Sequence, residues 1–286
     1  MTPGTHLKVG VVGCMATMLL VACVGASPPS SLESRVAHML PRAALPVGRD
    51  VRLLESPFAQ NQLRHRRVRA ARAAAQSRIV QMFDEKNIRY PAAEVYLRVM
   101  KRPWLLELWV RPTAGKHFEL LKTYPICAMA GTLGPKRRQG DQQVPEGFYY
   151  IDNFNPTSKY HLSLKIDYPN RHDRARSRMG YNLGGDIYIH GGCRSAGCLA
   201  ITDEGIQELY WIAVEARALG QQRIPVHIFP ARLDAGEMKR FDLYYSDRPD
   251  LIDFWKSLKP GFDYFERTHR VPQVGIDGRG RYRFES

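Results

Sequence analysis

Nine consecutive residues, HGGCRSAGC at positions 190–198, hold the side chains of this chain that are best suited to chemistry. His190, Cys193 and Cys198 lie close together here among three glycines. Imidazole and thiolate bind metals, two thiols form a disulfide, and a thiolate beside an imidazole acts as a nucleophile with its base. The stretch therefore allows three kinds of site.

The metal and disulfide interpretations explain the fewest of these residues. A zinc site needs four ligands, or three and a water, and the spacings H-x2-C and C-x4-C are not a familiar zinc pattern. No second C-x2-C or H-x3-H pair occurs in the chain. A disulfide between Cys193 and Cys198 is sterically possible, but it leaves His190 without a role.

A thiol nucleophile explains more of the residue types at once. His190 ends a strand-like run, so its ring can be held rigidly as the base, and an eight-residue loop can return Cys198 to its side. Gly197 allows close approach of a substrate carbonyl. The N–H groups of Gly197 and Cys198, near the start of a helix, are expected to form an oxyanion hole.

The elements around the stretch are expected to be short strands and a few helices. GDIYIHGG predicts a strand before it, and IPVHIFP at 224–230 closes a strand-rich region that begins near residue 93. TDEGIQELYWIAVEARALG predicts a helix with Thr202 as N-cap and Gly220 as stop. The Ala- and Arg-rich run 64–83 predicts another helix, and RHDRARSRMG at 171–180 predicts a basic loop.

The first residues predict export. Lys8 and an apolar run at 9–21 resemble a signal peptide, and LVAC at 20–23 resembles a bacterial lipobox, with Cys23 as the lipidated residue. The alternative is an ordinary signal peptide cut after Ala26. Loss of residues 1–22 removes one basic residue, so the net charge falls from +14 to +13.

Export and charge together indicate the partners. A nucleic-acid partner is not expected outside the cytoplasm, and an acidic partner in the envelope suits the charge. Three cysteines remain in the exported chain, at 127, 193 and 198, so at least one thiol is expected to stay unpaired. We expect a periplasmic protein, anchored to the outer membrane through its lipid.

The pattern of a strand, His-Gly and Ser-x-Gly-Cys resembles the L,D-transpeptidases, the YkuD-domain enzymes of bacterial cell-wall metabolism. The resemblance is to the murein L,D-transpeptidase branch that includes the enzyme detaching Braun lipoprotein from peptidoglycan. It extends over about residues 93–285 and does not cover 24–92. The segments that carry it are GPKRRQGDQQVPEGFYYI, SLKIDYPN, GDIYIHGGC, CLAITDEGIQELY, VHIFP and LKPGFDYFERTHRVPQV.

The resemblance implies a mainly β fold with helices, containing a YkuD-like β-sandwich catalytic domain. The expected division is a signal peptide at 1–22, a flexible tether at 23–33, a basic helical region at 34–92, the catalytic domain at 93–230, and a C-terminal extension at 231–286 that packs on it.

The resemblance also assigns roles within the stretch. Cys198 takes the position of the nucleophile, His190 that of the base, and the Gly191 carbonyl that of the group orienting the imidazole. Ser195 and Gly197 belong to the motif that precedes the nucleophile and are expected at the oxyanion and substrate site. No metal or cofactor is implied.

Two positions depart from the usual pattern of the family. Ala196 stands where a histidine is usual, and Ala200 stands where an arginine is usual. Arg194 is therefore the candidate for binding a substrate carboxylate. Cys193 has no place in the mechanism, and is expected to be a packing thiol or a redox partner that masks Cys198.

The implied activity is attack by Cys198 on the carbonyl of the third stem-peptide residue, usually diaminopimelate, giving a thioester. An amine acceptor then gives transpeptidation, and water gives hydrolysis or release of a peptidoglycan-linked lipoprotein. The alternative function is a peptidoglycan-binding envelope lipoprotein without catalysis. A papain-like thiol protease fits poorly, because it needs its histidine far downstream of the cysteine.

Overall fold

The computed structural model describes residues 53, 55–177 and 181–285. The predicted signal peptide, the lipidation site Cys23 and the tether lie outside this range. Two helices come first, α1 (Pro57–Arg64) and α2 (Arg66–Glu85). They confirm the helix predicted at 64–83, except that His65 is extended and separates the two.

Nine strands form one strongly curved sheet in the order β3-β2-β1-β9-β5-β6-β7-β8-β4. Their bounds are β1 Glu94–Met100, β2 Leu105–Arg111, β3 Glu119–Pro125, β4 Ala128–Met129, β5 Gly147–Asn155, β6 Ser163–Ile166, β7 Tyr188–His190, β8 Leu199–Ala200 and β9 Pro225–Phe229. The β-rich fold with helices expected from the sequence is confirmed.

Strand β5 joins the two halves of this sheet. Residues 147–150 pair antiparallel with β9, and residues 151–155 pair antiparallel with β6. The register shifts between Ile151 and Asn153, where the second pairing begins. A shift of this kind bends a strand and increases its twist. The half containing β6, β7, β8 and β4 thereby turns away from the first half, and it carries the stretch 190–198.

A buried helix lies behind the site. Helix α4 (Asp203–Ala218) follows α3 (Arg171–Ala175) in chain order and packs against α1 and α2. The Thr202 hydroxyl accepts a hydrogen bond from the Gly205 N–H at 3.1 Å, and Gly220, with φ +117°, follows the last turn. The predicted cap and stop are both confirmed. This helix fixes the chain immediately after the stretch 190–198.

Helix α3 was not predicted, because residues 171–180 were expected to form a loop. Asn170 and Asp173 form a reciprocal capping box: the Asn170 side chain accepts from the Asp173 N–H, and the Asp173 carboxylate accepts from the Asn170 N–H. This cap satisfies the amides that a short helix otherwise leaves open. The Asn-x-x-Asp capping pattern was overlooked because the arginines of this segment indicated a basic loop.

The C-terminal residues form α5 (Ala235–Tyr244), α6 (Pro249–Thr268) and a hairpin of β10 (Gln273–Ile276) and β11 (Tyr282–Glu285). Phe254, Trp255 and Phe262 of α6 share a core with Phe148 of β5 and Phe229 of β9. The C-terminal part therefore packs on the sheet. In the described part of the chain no helix has both the length and the apolar character to cross a membrane.

Candidate active site

The stretch 190–198 is held between two parallel strands. Ile189 pairs with Leu199, and His190 pairs with Ala200, so β7 and β8 run side by side. The chain leaves β7 after His190, loops outward, and returns to begin β8 at Leu199. Extended by one residue, this pairing places Cys198 beside Tyr188 at the start of β7, two residues before His190. We call residues 191–198 the nucleophile loop, after the role predicted for Cys198.

His190 is held in one orientation by its own neighbour. Its side chain is buried, and Nδ1 lies 2.6 Å from the carbonyl oxygen of Gly191. A carbonyl only accepts hydrogen bonds, so Nδ1 carries the proton and Nε2 is left as the acceptor. The ring also stacks on Tyr160, with centroids 4.8 Å apart. Burial lowers the pKa of His190 and the Gly191 hydrogen bond opposes this, so the neutral imidazole is favoured.

The backbone after His190 is fixed by Tyr160 and Asp203. The Gly191 N–H donates to the Tyr160 carbonyl at 3.1 Å, and the Gly192 N–H donates to Oδ1 of Asp203 at 2.8 Å. A Cβ on Gly191 would lie 2.3 Å from that same Oδ1, so only glycine fits there. Sequence reasoning missed this contact of Asp203, the first residue of α4. It missed Tyr160 entirely, because nothing in the pattern marks it.

Cys198 is the free cysteine of the described residues. It is half-buried, and its Sγ donates to the Asp186 carbonyl at 3.6 Å. Burial raises the pKa of the Cys198 thiol, the Asp186 charge adds to this, and the Tyr188 amide and Lys136 lower it. Within the described ranges no hydrogen bond joins this thiol to His190. In this structure the thiol is therefore engaged by Asp186 and not by the imidazole.

Cys193 is neither a packing thiol nor a partner of Cys198. It forms a disulfide with Cys127, 66 residues earlier in the chain. Strand β4 makes this possible, because it pairs with β8, and the Cys127 N–H donates to the Ala200 carbonyl at 2.9 Å. The disulfide also removes Cys193 as a thiolate ligand. Among the described residues, no three His, Cys, Asp or Glu side chains converge as a metal site.

The predicted oxyanion hole has a different arrangement in this structure. The N–H groups of Gly197 and Cys198 donate to the hydroxyl oxygen of Ser195, at 3.2 and 2.9 Å, and that hydroxyl donates to the Cys198 carbonyl at 2.7 Å. Both amides therefore already have an acceptor. Ser195 organises the loop, because a hydroxyl both donates and accepts, and sequence spacing does not reveal which amides it satisfies.

Arg194 is exposed and has no ion-pair partner in the part of the chain that the structure describes. Gly197 is buried with φ +127°, a backbone conformation that favours glycine. The candidate site thus holds Cys198 beside the start of β7 and the imidazole of His190, fixed by the Gly191 carbonyl, at the end of the same strand. A neutral base and a thiol in this setting are suited to nucleophilic acyl transfer.

Comparisons with known proteins indicate the family of the chain. Residues 108–228 match the L,D-transpeptidase catalytic domain, YkuD. The chain is 42% identical to the "Putative L,D-transpeptidase YafK" of Escherichia coli (strain K12) over 190 residues, which span 66% of this chain and 72% of that protein.

Two solved structures are similar at lower identity. One is the helical cell shape determining protein Pgp2 from Campylobacter jejuni, with 18% identity, coverage of 64% of this chain and 73% of that chain, and a TM-score of 0.39. The other is Bd1075 of Bdellovibrio bacteriovorus, with 19% identity, 56% of each chain covered and a TM-score of 0.35. Likenesses of this size carry no argument about function.

Proposed function

Because the chain belongs to the L,D-transpeptidase (YkuD) family, whose substrate is the peptidoglycan of the cell wall, we propose that Cys198 is its nucleophile and His190 its base. The bond attacked is the L,D peptide bond after the third residue of the stem peptide, usually diaminopimelate. One observation carries the proposal: the Gly191 carbonyl holds Nδ1–H of His190 and so reserves Nε2 for the thiol proton.

The pKa shifts of His190 and Cys198 support a thiol that loses its proton only when it reacts with substrate. Burial favours the neutral form of both side chains, lowering the pKa of His190 and raising that of the Cys198 thiol. A neutral imidazole is ready to accept a proton, and a thiol needs such a base before it attacks. The thiolate then forms in the presence of substrate.

The reaction has two steps. In the first, Sγ of Cys198 attacks the carbonyl carbon, its proton passes to Nε2 of His190, and the imidazolium returns that proton to the leaving amine as the C–N bond breaks. A thioester remains on Cys198. In the second, an amine or a water attacks this thioester, His190 takes the proton of the incoming group, and the thiol is regenerated. An amine gives transpeptidation, and water gives hydrolysis, including release of peptidoglycan-linked lipoprotein.

The decisive experiment compares single variants of the full chain. We expect Cys198→Ala and His190→Ala to lower the rate of stem-peptide cleavage by several orders of magnitude, as for other nucleophile–base units, with unchanged circular dichroism. Muropeptides incubated with each protein are analysed by mass spectrometry. Ala196→Ser, an exposed change in the same loop, is the control and should keep the activity.

The covalent intermediate gives a second readout. A carbapenem, which acylates the cysteine of this family, should add its mass to the peptide containing Cys198, as shown by intact-mass measurement and peptide mapping. Full activity in Cys198→Ala would remove the catalytic proposal and leave the alternative of a peptidoglycan-binding lipoprotein. Cleavage with an adduct on another residue would place the nucleophile elsewhere.

Location is a separate proposal, and the LVAC sequence before residue 24 supports it. The chain is proposed to be exported to the periplasm and anchored to the outer membrane through a lipid on Cys23. Metabolic labelling with a palmitate analogue should mark the wild type and not Cys23→Ala. Equal labelling of the two proteins would refute lipidation at this residue.

A further inference from the structure

A cleft of about 540 Å³ on the side of the molecule facing the C-terminal helices is lined by four arginines. Arg137 and Arg138 come from the long loop 131–146, Arg176 follows α3, and Arg248 precedes α6. Three separate parts of the chain thus bring guanidinium groups to one hollow. We call it the arginine cleft.

Three of these guanidinium groups form no ion pair. Arg248 is paired with Asp250, with two nitrogen–oxygen distances of 3.0 and 2.9 Å. Arg137, Arg138 and Arg176 have no carboxylate within ion-pair distance among the described residues. Burial lowers the pKa of Arg137, the charge of Arg176 lowers it further, and the more distant charge of Asp173 only opposes them. Like charges in a half-buried cleft repel one another, and a bound anion relieves that repulsion.

The same loop that lines the arginine cleft also touches the nucleophile loop. Gln143 lines the cleft, and a Cβ on Gly197 would lie 3.6 Å from the Gln143 carbonyl oxygen. Gln143 is itself held in place, since its side-chain amide donates to the carbonyls of Thr132 at 2.6 Å and Gly134 at 2.9 Å. The cleft is therefore separated from the residue before Cys198 by one fixed segment of backbone.

A second segment connects the two places. Tyr181 lines the arginine cleft, and five residues later the Asp186 carbonyl accepts the hydrogen bond from Cys198. This segment is tied to the long loop, because the Gln139 N–H donates to the Asn182 carbonyl at 2.8 Å. A ligand in the cleft thus contacts two segments that both reach the nucleophile.

We propose that the arginine cleft binds the carboxylates of an acidic peptide and so positions the anionic part of the substrate beside Cys198; this rests on the proposed function. Guanidinium forks match the planar geometry of carboxylates and bind them through paired hydrogen bonds. Leu133, Pro135 and Leu251 give the cleft apolar walls, which suit the aliphatic parts of a peptide.

Binding is tested without catalysis, so that it is independent of the reaction. The probe is the dipeptide γ-D-glutamyl-meso-diaminopimelate, titrated by calorimetry into the full chain carrying Cys198→Ala. Adding Arg137→Gln and Arg176→Gln should raise Kd at least about tenfold, since each removes a charge-assisted hydrogen-bonding group. Arg174→Gln removes the same charge two residues from Arg176, in a separate hollow with Asp152 and Asp167, and should change Kd less than about twofold.

A further variant shows whether lost binding could come from misfolding, and further probes identify the ligand. Arg138 is exposed, so Arg138→Gln should keep the fold and still weaken binding several-fold. A probe with amidated carboxylates should bind at least about tenfold more weakly. Equal loss in Arg174→Gln, no loss in the cleft variants, or tighter binding of inorganic phosphate than of the dipeptide would overturn the proposal. Because Cys198→Ala is used throughout, failure of the proposed reaction leaves these outcomes interpretable.

Discussion

His190 and Cys198 respond to burial in opposite directions, and this decides how the pair reacts to pH. Burial removes water from both side chains, so each is favoured in its uncharged form. The pKa of His190 is lowered and that of the Cys198 thiol is raised. The resting pair is consequently a neutral thiol and a neutral imidazole rather than a thiolate and an imidazolium.

The proposed mechanism therefore predicts a broad optimum in the pH profile of kcat/KM. Activity is lost at low pH when His190 is protonated, and its lowered pKa moves that limb below the ordinary histidine value of about 6.5. At high pH the rate changes where the Cys198 thiol ionises without giving its proton to His190. The raised pKa of the thiol places this change above the ordinary cysteine value of about 8.5. Initial rates on a soluble stem peptide measure both limbs. An acidic limb above 6.5 would indicate a stabilised imidazolium and contradict the neutral pair.

At the residue scale the sequence predicts part of the candidate site and not the rest. Cys198 and His190 could be proposed because a strand, a glycine-rich loop and a helix follow one another within about 30 residues. The Cys127–Cys193 disulfide could not, because its cysteines are 66 residues apart and the strands that bring them together, β4 and β8, are only two residues long. The hydrogen bonds of the Ser195 hydroxyl also depend on loop geometry that spacing does not fix.

Helix α2 supports the site from outside the strands. Arg67 donates to the carbonyls of Ser158 and His161, each at 2.5 Å. Between these residues lies Tyr160, whose ring stacks on His190 and whose carbonyl accepts the Gly191 N–H. Helix α2 therefore fixes the segment around Tyr160, and this segment in turn positions His190. The family resemblance did not extend to this helix.

Removal of this support should slow the reaction without weakening substrate binding. We expect Arg67→Ala to lower kcat about tenfold, equivalent to about 1.4 kcal/mol, with KM nearly unchanged, because Tyr160 no longer fixes the imidazole. Arg66→Ala, on the neighbouring exposed residue, is the matched control. Steady-state kinetics on the same stem peptide measure both. Equal kcat values for the two variants would show that Arg67 is only a surface contact.

Elements with their own sequence signals were predicted, and those fixed by distant partners were not. The strand-like runs of β1 and β5 and the cap of α4 are local signals, so they could be recognised from the sequence. Strand β7 is only three residues long, although the apolar pattern predicted a strand from 185. The strand is limited to residues 188–190 because these are the residues that pair with β6.

On the scale of the whole molecule, His227 lies where the sheet meets the C-terminal helices. It is buried in β9, its Nδ1 is 2.9 Å from the Tyr96 hydroxyl, and it packs against the rings of Phe148 and Phe229. Burial and, to a lesser extent, the charge of Arg98 lower the pKa of His227 to about 3. Protonation of this residue is thus possible mainly after the two parts separate.

Acid should therefore destabilise the fold in a way that depends on His227. An unfolded histidine binds its proton below about pH 6.5, whereas the folded one does so only near pH 3, so stability is lost as pH falls between these values. The loss reaches up to about 5 kcal/mol. Urea unfolding at several pH values should show a flatter acid dependence in His227→Gln. The exposed His117→Gln is the control, and an identical slope for the wild type and His227→Gln would contradict the assignment.

Under the proposed mechanism, the three cysteines of the described chain make correct oxidation a condition for activity. They allow three different single pairings, and in two of them Cys198 is consumed. The pairing of Cys193 with Cys198 closes by far the shortest loop, so the encounter of these two thiols is the most frequent in an unfolded chain. The native bond requires β4 to reach β8 first. Newly made protein that is oxidised before this sheet forms is therefore inactive until its disulfide is exchanged, and the yield of working enzyme depends on the thiol-exchange catalysts of the compartment where it folds.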